Sequence, residues 1–353
     1  MLVDNLNAEI VSGNIKCRQD AVNWLSYTYL YVRMLVSPQL YKVPNDENDE
    51  SLIVYRETLV HSALTTLHNE NLIVYHPQTG TVLSTELGLI ASYFYIKHTS
   101  MVTYSRELSD HSSQMDLFRI IAMSEEFKYL SVRPEERKEL KELLDRAPVP
   151  VKENADDRLA KVNILLQSYI SRLKLEGFAL NADMMFITQN AGRISRALYE
   201  YSLKRGYSGT TKALLNICKM IDRRLWVANS PLGQMKSCPF EVVRKTEAST
   251  LPWQDYLELE SPAQVGQAIR SEKHGKLVYD LLRRFPKLLL KCSIQPITPS
   301  LLKFELEILP DWIWDSSLHG LVEPFVVLVE DTDGENILFS STLLVRKEAV
   351  NDP

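Results

Sequence analysis

The chain has 353 residues, of which 45% are hydrophobic and 24% charged, and its formal net charge is −5. This composition indicates a globular protein with room for two or three domains, and the negative charge argues against a surface coated in nucleic acid. The first residues, MLVDNLNAEI, lack the basic and apolar stretches of a secretory signal, and no apolar run approaches the ~18 residues that span a bilayer. We therefore expect a soluble protein with no membrane partner.

Residue types that carry catalysis or bind metals form no known pattern here. Four cysteines lie far apart: Cys17, Cys218, Cys238 and Cys292. Their spacing favours reduced, buried thiols over a disulfide framework. His61 and His68 share a predicted helix face but lack the third ligand of a catalytic zinc, so no metal site is predicted. Gly275-Lys276 is no P-loop, because Arg270 stands where that loop needs its first glycine, and the chain carries no recognisable catalyst.

The N-terminal part predicts a winged helix. One long helix is expected over residues 17–36 and another over residues 51–71, since apolar side chains recur at helical spacing. Two short strand-like runs, 72–75 and 81–84, follow and are joined by a turn that contains proline and glycine. Thr85 then caps a further helix. Helices followed by a hairpin are the order of a winged-helix unit.

Residues 112–232 are almost entirely helical in pattern and predict a helical bundle. Breaks are expected at Arg133-Pro134, at residues 147–151 and at Gly177. The helix expected over residues 159–176 has one apolar face, and Gly177 is well placed to end it.

The last third changes from helical to strand-like periodicity. Residues 238–285 predict short helices that are interrupted at Pro239, Pro252 and Pro262. Four strand candidates follow: 287–297, 301–309, 323–331 and 335–347. Asp333-Gly334 suits a hairpin turn between the last two. An immunoglobulin-like sandwich needs about seven strands, so we expect a mainly α-helical chain with a partial immunoglobulin-like or fibronectin-like β-sandwich tail.

Residues 187–206, ITQNAGRISRALYEYSLKRG, predict one amphipathic helix. Its apolar residues share one face, and the opposite face carries a polar stripe: Gln189, Arg193, Arg196, Glu200 and Lys204. Such a stripe most often faces solvent, here steadied by pairs of Glu200 with Arg196 and Lys204. Two details fit a nucleic-acid strand instead: Arg193 has no acidic residue three or four positions ahead, and Gly192 would let a backbone approach closely.

Two basic islands lie in this acidic chain. Residues 187–224 contain eight basic and two acidic residues, and residues 270–291 contain seven and two, which gives +6 and +5. A solvated charged face is the more frequent cause of such runs, and local contact with a polyanion is the alternative.

Seven sequence motifs carry a resemblance to a known family. They are, in order, DAVNWLSYTYLYVRML, TELGLIASYFYI, FKYLSVRPEE, RAPVPVKE, AKVNILLQSYISRLKLEGFALNADM, LNICKMIDRRLW and QPITPSLLKFELEI. Their order and spacing resemble the N-terminal cassette of the large spliceosomal RNA helicases, two-cassette Ski2-like enzymes that separate the U4 and U6 small nuclear RNAs. The resemblance covers nearly the whole chain.

The resemblance implies the region that follows the two motor domains of that cassette. It divides the chain into a winged helix (1–98), a helical bundle (99–236), a helix-loop-helix domain (237–286) and an immunoglobulin-like domain (287–353) that is cut short. ATP and Mg²⁺ belong to the motor domains of the family, so no cofactor is expected in this chain.

The resemblance also implies which residues contact RNA. The family's ratchet helix touches the moving strand, and its Ser-Ala-Gly-Arg motif corresponds to Asn190-Ala191-Gly192-Arg193. The family's helix-loop-helix turn, Pro-Lys-Met-Gly-Lys, corresponds to residues 272–276, where the proline is missing. The predicted RNA-binding residues are Gln189, Asn190, Arg193, Arg196, Lys204, Lys273 and Lys276.

On this basis we expect the RNA-guiding, non-motor part of a nuclear spliceosomal helicase. Its expected partners are single-stranded RNA, the motor domains in cis and the large U5 scaffold protein. Two alternatives stay open: a protein-interaction scaffold without RNA contact, and a relative of an endoplasmic reticulum translocon protein, against which the winged helix and the missing membrane span argue.

Overall fold

The computed structural model describes residues 1–44, 49 and 51–351 of the chain. Residues 45–48, 50, 352 and 353, which fall in the predicted winged-helix and immunoglobulin-like domains, lie outside the described residues. The chain forms two compact units, Met1–Arg224 with Thr332–Asn336, and Leu225–Asp331 with the residues from Ile337 onward.

The first unit begins with helices and one small hairpin. Its elements are α1 (Leu2–Val11), α2 (Arg18–Ser26), α3 (Tyr29–Val36), α4 (Ile53–Asn69), β1 (Ile73–Tyr75), β2 (Val82–Ser84) and α5 (Glu86–Tyr93). The two strands pair antiparallel, with Val74 opposite Leu83. The Thr85 hydroxyl caps α5 by accepting a hydrogen bond from the Gly88 amide at 3.1 Å. The predicted hairpin and the Thr85 cap are therefore confirmed.

The single helix predicted over residues 17–36 is wrong, because the chain interrupts it between α2 and α3. Thr28 has extended backbone angles (φ −88°, ψ 152°), and its hydroxyl accepts a hydrogen bond from the Tyr31 amide at 3.4 Å. This cap starts a new helix at Tyr29. A local hydrogen bond from threonine to the backbone thus overrides the helical spacing of the apolar residues.

The first unit continues as a helical bundle. Its α-helices are α6 (His98–Glu107), α7 (Gln114–Ala122), α8 (Arg137–Asp145), α9 (Arg158–Ile170), α10 (Phe178–Arg205) and α11 (Ser208–Arg223). Helix α10 packs against α9, α11 and α5. The apolar residues of its inner face are buried: Ile187, Ala191, Ile194, Leu198 and Tyr201. The predicted amphipathic helix is confirmed, and Gly206 ends it in the left-handed region at φ 78°.

Helix α9 ends at Ile170 rather than at residue 176. Arg172 adopts φ 56°, and the Leu173 amide donates to the Ser168 carbonyl at 3.0 Å. This ending is the Schellman arrangement without its usual glycine. Gly177 instead precedes α10 as its N-cap, so the expectation that Gly177 ends the helix is wrong.

A buried ion network joins α9 to its neighbours. Lys161 has no exposed surface, and its Nζ lies 2.6 Å from the Glu136 carboxylate and 2.7 Å from that of Asp183. Arg133 pairs with both carboxylates as well. Burial raises the pKa of Glu136, but hydrogen bonds from Lys161 and Arg133 outweigh this effect and hold the pKa below its usual value. Within the described residues, the Lys161 ammonium is thus satisfied by the two carboxylates and by the Ser131 carbonyl, to which it donates at 2.8 Å.

The second unit consists of short helices followed by two antiparallel hairpins. In order they are α12 (Phe240–Glu247), α13 (Trp253–Tyr256), α14 (Pro262–Ala268), α15 (Glu272–Leu282), β3 (Leu288–Thr298), β4 (Leu301–Pro310), α16 (Ser316–His319), β5 (Val322–Glu330), β6 (Ile337–Arg346) and α17 (Lys347–Asn351). Pro239 and Pro252 are N-caps, and Pro262 is the first residue of α14. The prolines that interrupt the pattern therefore begin helices, where their missing amide is harmless.

The four predicted strands are confirmed. β3 pairs with β4 and β5 with β6, and within the described ranges the two pairs form separate sheets. Apolar side chains of β3 and β4 remain exposed, for example Leu290 at 62% and Phe304 at 64%. The immunoglobulin-like sandwich stays a prediction. No described helix has the length and apolar character needed to cross a membrane.

Candidate nucleic-acid interface

The polar stripe lies along α10, opposite its buried face. Gln189, Arg196 and Lys204 are exposed, whereas Asn190 and Arg193 are partly buried. At 1.5 Å per residue, the stripe extends roughly 22 Å along the helix axis from Gln189 to Lys204. The structure thus brings five predicted RNA-binding residues together on one helix.

Arg193, a predicted RNA-binding residue, has protein partners from another helix. Its Nη1 donates to the backbone carbonyl of Phe94 at 3.0 Å and to that of Tyr95. These residues follow α5, and the last carbonyls of a helix lack partners within it. The guanidinium therefore caps α5 from α10. A search for acidic residues one turn away could not find this contact, because the two carbonyls lie almost a hundred positions earlier in the chain.

Asn190 orients the Arg193 side chain. Its Oδ1 accepts hydrogen bonds from Arg193 Nε at 3.2 Å and Nη2 at 2.6 Å, and its Nδ2 donates to the Phe186 carbonyl at 2.9 Å. The amide that the resemblance assigns to RNA contact is thus used within α10. Asn190 and Arg193 are joined by two hydrogen bonds.

Arg196 and Lys204 pair with acidic residues of other helices. Arg196 pairs with Asp222 of α11, and Lys204 Nζ lies 3.0 Å from the carboxylate of Glu86 of α5. The predicted pairs with Glu200 are therefore wrong, because acids on neighbouring helices take its place. Burial raises the pKa of Glu200, and the charge of Lys204 opposes that rise.

Both of these ion pairs are solvent-exposed on each partner. Exposed pairs contribute only ~0–1 kcal/mol, because water screens the charges and ordering the side chains costs entropy. A phosphate group can therefore replace Asp222 or Glu86 at little cost. Arg196 and Lys204 therefore remain accessible to an anionic ligand.

Gly192 leaves an open gap in the surface beside the stripe. A Cβ added at Gly192 would meet no atom within 4 Å. Glycine in a helix interior costs roughly 0.5–1 kcal/mol relative to alanine, and no neighbour in the described part of the chain requires it here. The gap gives a ligand backbone room to approach α10 closely.

The turn predicted at residues 272–276 is wrong, because these residues begin α15. The chain reverses just before it, where Arg270 adopts φ 51°. Gly275 is buried, and a Cβ there would lie 2.4 Å from the Pro262 carbonyl oxygen and 3.0 Å from the Gly266 Cα. Gly275 thus permits the close crossing of α14 and α15 rather than a turn.

Lys273 and Lys276 are exposed on the first turns of α15. They belong to the second unit, whereas the polar stripe belongs to the first. Each unit therefore carries its own part of the predicted RNA-binding set.

The described residues contain no group of three or more His, Cys, Asp or Glu that could hold a metal ion. His61 and His68 both bond Tyr75, through its hydroxyl at 3.0 Å and its amide at 3.4 Å. All four cysteines are free, but Cys218 is the buried one and Cys292 is exposed. The expectation of buried thiols is therefore wrong for Cys292.

Comparisons with known proteins agree with the sequence motifs. The Sec63 Brl domain family model matches residues 84–353, and a winged helix-turn-helix domain model matches residues 1–75. The chain is 46% identical to the pre-mRNA-splicing factor brr2 of Schizosaccharomyces pombe and 47% identical to the U5 small nuclear ribonucleoprotein 200 kDa helicase of Homo sapiens. It is 43% identical to the DExH-box ATP-dependent RNA helicase DExH12 of Arabidopsis thaliana.

Each of these alignments covers 99% of this chain and 16% of the relative, so the chain spans about a sixth of the length of the proteins it matches. The resemblance to the large spliceosomal helicases and the predicted winged helix are confirmed. The chain belongs to the Sec63 Brl domain family and corresponds to a non-motor Sec63 unit preceded by a winged helix-turn-helix domain.

Proposed function

We propose that this chain is the RNA-guiding, non-motor part of an ATP-dependent spliceosomal RNA helicase that unwinds U4/U6 RNA in the nucleus. The alignments with a pre-mRNA-splicing factor and with a U5 small nuclear ribonucleoprotein helicase cover nearly all of this chain. The observation that carries the proposal is α10, which buries one face and presents a cationic stripe beside the open surface at Gly192.

Single-stranded RNA lies along the stripe in this proposal. Arg196 and Lys204 exchange their carboxylate partners for phosphates, and Gln189 offers an amide to sugars or bases. Asn190 and Arg193 keep α5 and α10 in register while the strand moves. Lys273 and Lys276 supply further phosphate contacts from α15. Because these contacts are made to the RNA backbone, the stripe would bind RNA of many sequences.

The remaining parts of the proposal concern the longer protein. The motor domains act in cis and hold ATP and Mg²⁺, and the large U5 scaffold protein is a partner. The four-domain division at residues 1–98, 99–236, 237–286 and 287–353 belongs to the same proposal. So does the assignment of β3 to β6 to an immunoglobulin-like domain.

The test is the salt dependence of RNA binding after removal of the two exchangeable cations. We expect Arg196→Ala with Lys204→Ala to weaken binding of single-stranded RNA of any sequence and to reduce the slope of log K against log salt by roughly 0.7 per lost contact. The matched control is Arg137→Ala with Lys152→Ala, which removes two exposed ion pairs elsewhere in the bundle. The proposal fails if both double variants change the slope alike.

A second candidate function is a protein-interaction scaffold without RNA contact. It is favoured by one observation, namely that Arg193, Arg196 and Lys204 each have a protein partner. On this hypothesis the three cations keep their protein partners and do not contact RNA. Neither double variant would then change RNA binding, while both would fold with nearly unchanged stability, because exposed substitutions cost within about 0.5 kcal/mol.

A further inference from the structure

Tyr95 is an exposed aromatic residue at the C-terminal end of α5. Its side chain is 83% exposed, and its backbone adopts φ 53°. The Ile96 amide donates to the Ala91 carbonyl at 2.8 Å, which places Tyr95 at the left-handed position of a Schellman ending. Glycine is the usual residue there, and a bulky side chain is strained. The fold thus presents an aromatic ring to solvent in a conformation that would favour glycine.

The backbone of Tyr95 is tied directly to α10. Arg193 donates to the carbonyls of Phe94 and Tyr95, and Asn190 holds the guanidinium in place. Gly192, with its open surface, is the neighbour of Arg193 in the chain. The backbone of Tyr95 is therefore held beside the part of α10 where a strand can approach.

Tyr95 also borders a cleft of about 170 Å³ in the first unit. Residues of α1, of α5 and of the segment after α5 line it, among them Asn5, Ser92 and the Asp4–His98 pair, whose closest atoms are 2.8 Å apart. Tyr95 and several polar residues therefore border the same cleft.

We propose that Tyr95 stacks on a base of the single-stranded RNA that runs along the polar stripe. This inference rests on the proposed function and deepens it by naming a base contact. Stacking on an aromatic side chain tolerates any sequence, because every base has a π-face. Arg193 is then a positioning residue, which fixes the Tyr95 backbone instead of neutralising a phosphate.

The test compares Tyr95→Gly, Tyr95→Phe and Tyr93→Ala in the full chain. Tyr95→Gly removes the ring and relieves the backbone, so the melting temperature should be kept or raised. Tyr95→Phe keeps the stacking surface. Tyr93 is the matched control, because it is also exposed and lies two positions earlier on α5. Binding of a fluorescent single-stranded oligouridylate is measured by anisotropy.

We expect Tyr95→Gly to weaken binding about 5- to 100-fold, as loss of one stacked base does, and the other two variants to bind within about twofold of the parent chain. If the parent chain binds and Tyr95→Gly binds equally well, the stacking proposal is wrong while RNA guiding stands. If Tyr95→Phe binds as weakly as Tyr95→Gly, stacking is not the interaction. If the parent chain binds no RNA, the proposed function fails together with this inference.

Discussion

Helix α9 and the β3–β4 hairpin share a similar hydrophobic content but differ in their surroundings. Leu165 and Leu166 of α9 have no exposed surface, whereas Leu290 and Phe304 of the hairpin are more than half exposed. Both elements were predicted from apolar periodicity. Periodicity therefore identifies an element and its faces, while burial depends on partners that lie elsewhere in the chain.

The energetic consequence follows from the burial. A fully buried leucine contributes about 1.5–3 kcal/mol relative to an exposed one, so α9 is stabilised along its whole length. An isolated two-stranded hairpin is marginal at best, and β3–β4 gains little from side chains that still face solvent. We therefore expect the two regions to open independently and at very different free energies.

Hydrogen exchange should show the largest difference between the two regions. Amides of α9 and α10 should open at a free energy several kcal/mol above that of β3–β4 amides, since only the former have a buried core around them. Limited proteolysis should likewise cut first beyond Phe285. Equal protection of β3–β4 and the bundle would show that the hairpin is covered in solution, and would break the comparison.

Replacing one lysine in each region should lower the free energy of unfolding by very different amounts. Lys161→Met should cost about 3–5 kcal/mol in the free energy of unfolding, because it takes the buried ammonium away from the buried Glu136 carboxylate and from the partly buried Asp183. Lys291→Met should cost at most about 1 kcal/mol, because the Lys291–Glu307 pair at 3.5 Å is exposed on both partners. Urea unfolding followed by circular dichroism measures both, and similar losses would contradict the account.

Gly192→Ala has a smaller expected effect and separates stability from RNA binding within α10. The open surface accepts a methyl group, so the helix should gain roughly 0.5–1 kcal/mol. RNA binding should weaken, because the methyl group fills the space that the strand needs. Gly209→Ala is the control, since Gly209 lies in α11 with only ordinary contact, 3.7 Å to the Asp110 carbonyl oxygen. Unchanged RNA affinity for Gly192→Ala would argue against close approach at this point.

Features that depend on nearby residues could be predicted from the sequence. The Thr85 cap, the strands, the buried face of α10 and its end at Gly206 all follow from residues within a few positions of one another. Two local features were nevertheless missed. Thr28 starts a new helix and Arg172 follows the end of α9, both through backbone conformations that the apolar pattern does not encode.

The partners of the candidate site could not be predicted, because they come from distant parts of the chain. Asp222 and Glu86 displace Glu200 as partners of Arg196 and Lys204. Buried Lys161 is another case. A lysine in a helix is expected to face solvent, and its carboxylate partners Glu136 and Asp183 are known only from the structure. Side-chain pairing across elements is a property of tertiary packing, and one sequence gives the packing faces without their neighbours.

The central claim is that the polar stripe of α10 contacts RNA, and photocrosslinking tests it most directly. The intact chain is mixed with single-stranded RNA that contains 4-thiouridine, irradiated and digested, and the crosslinked peptides are identified by mass spectrometry. We expect crosslinks within α10 between Gln189 and Lys204 that diminish when Arg196 and Lys204 are replaced by alanine. Crosslinks that avoid α10, or that persist unchanged in the double variant, would contradict it.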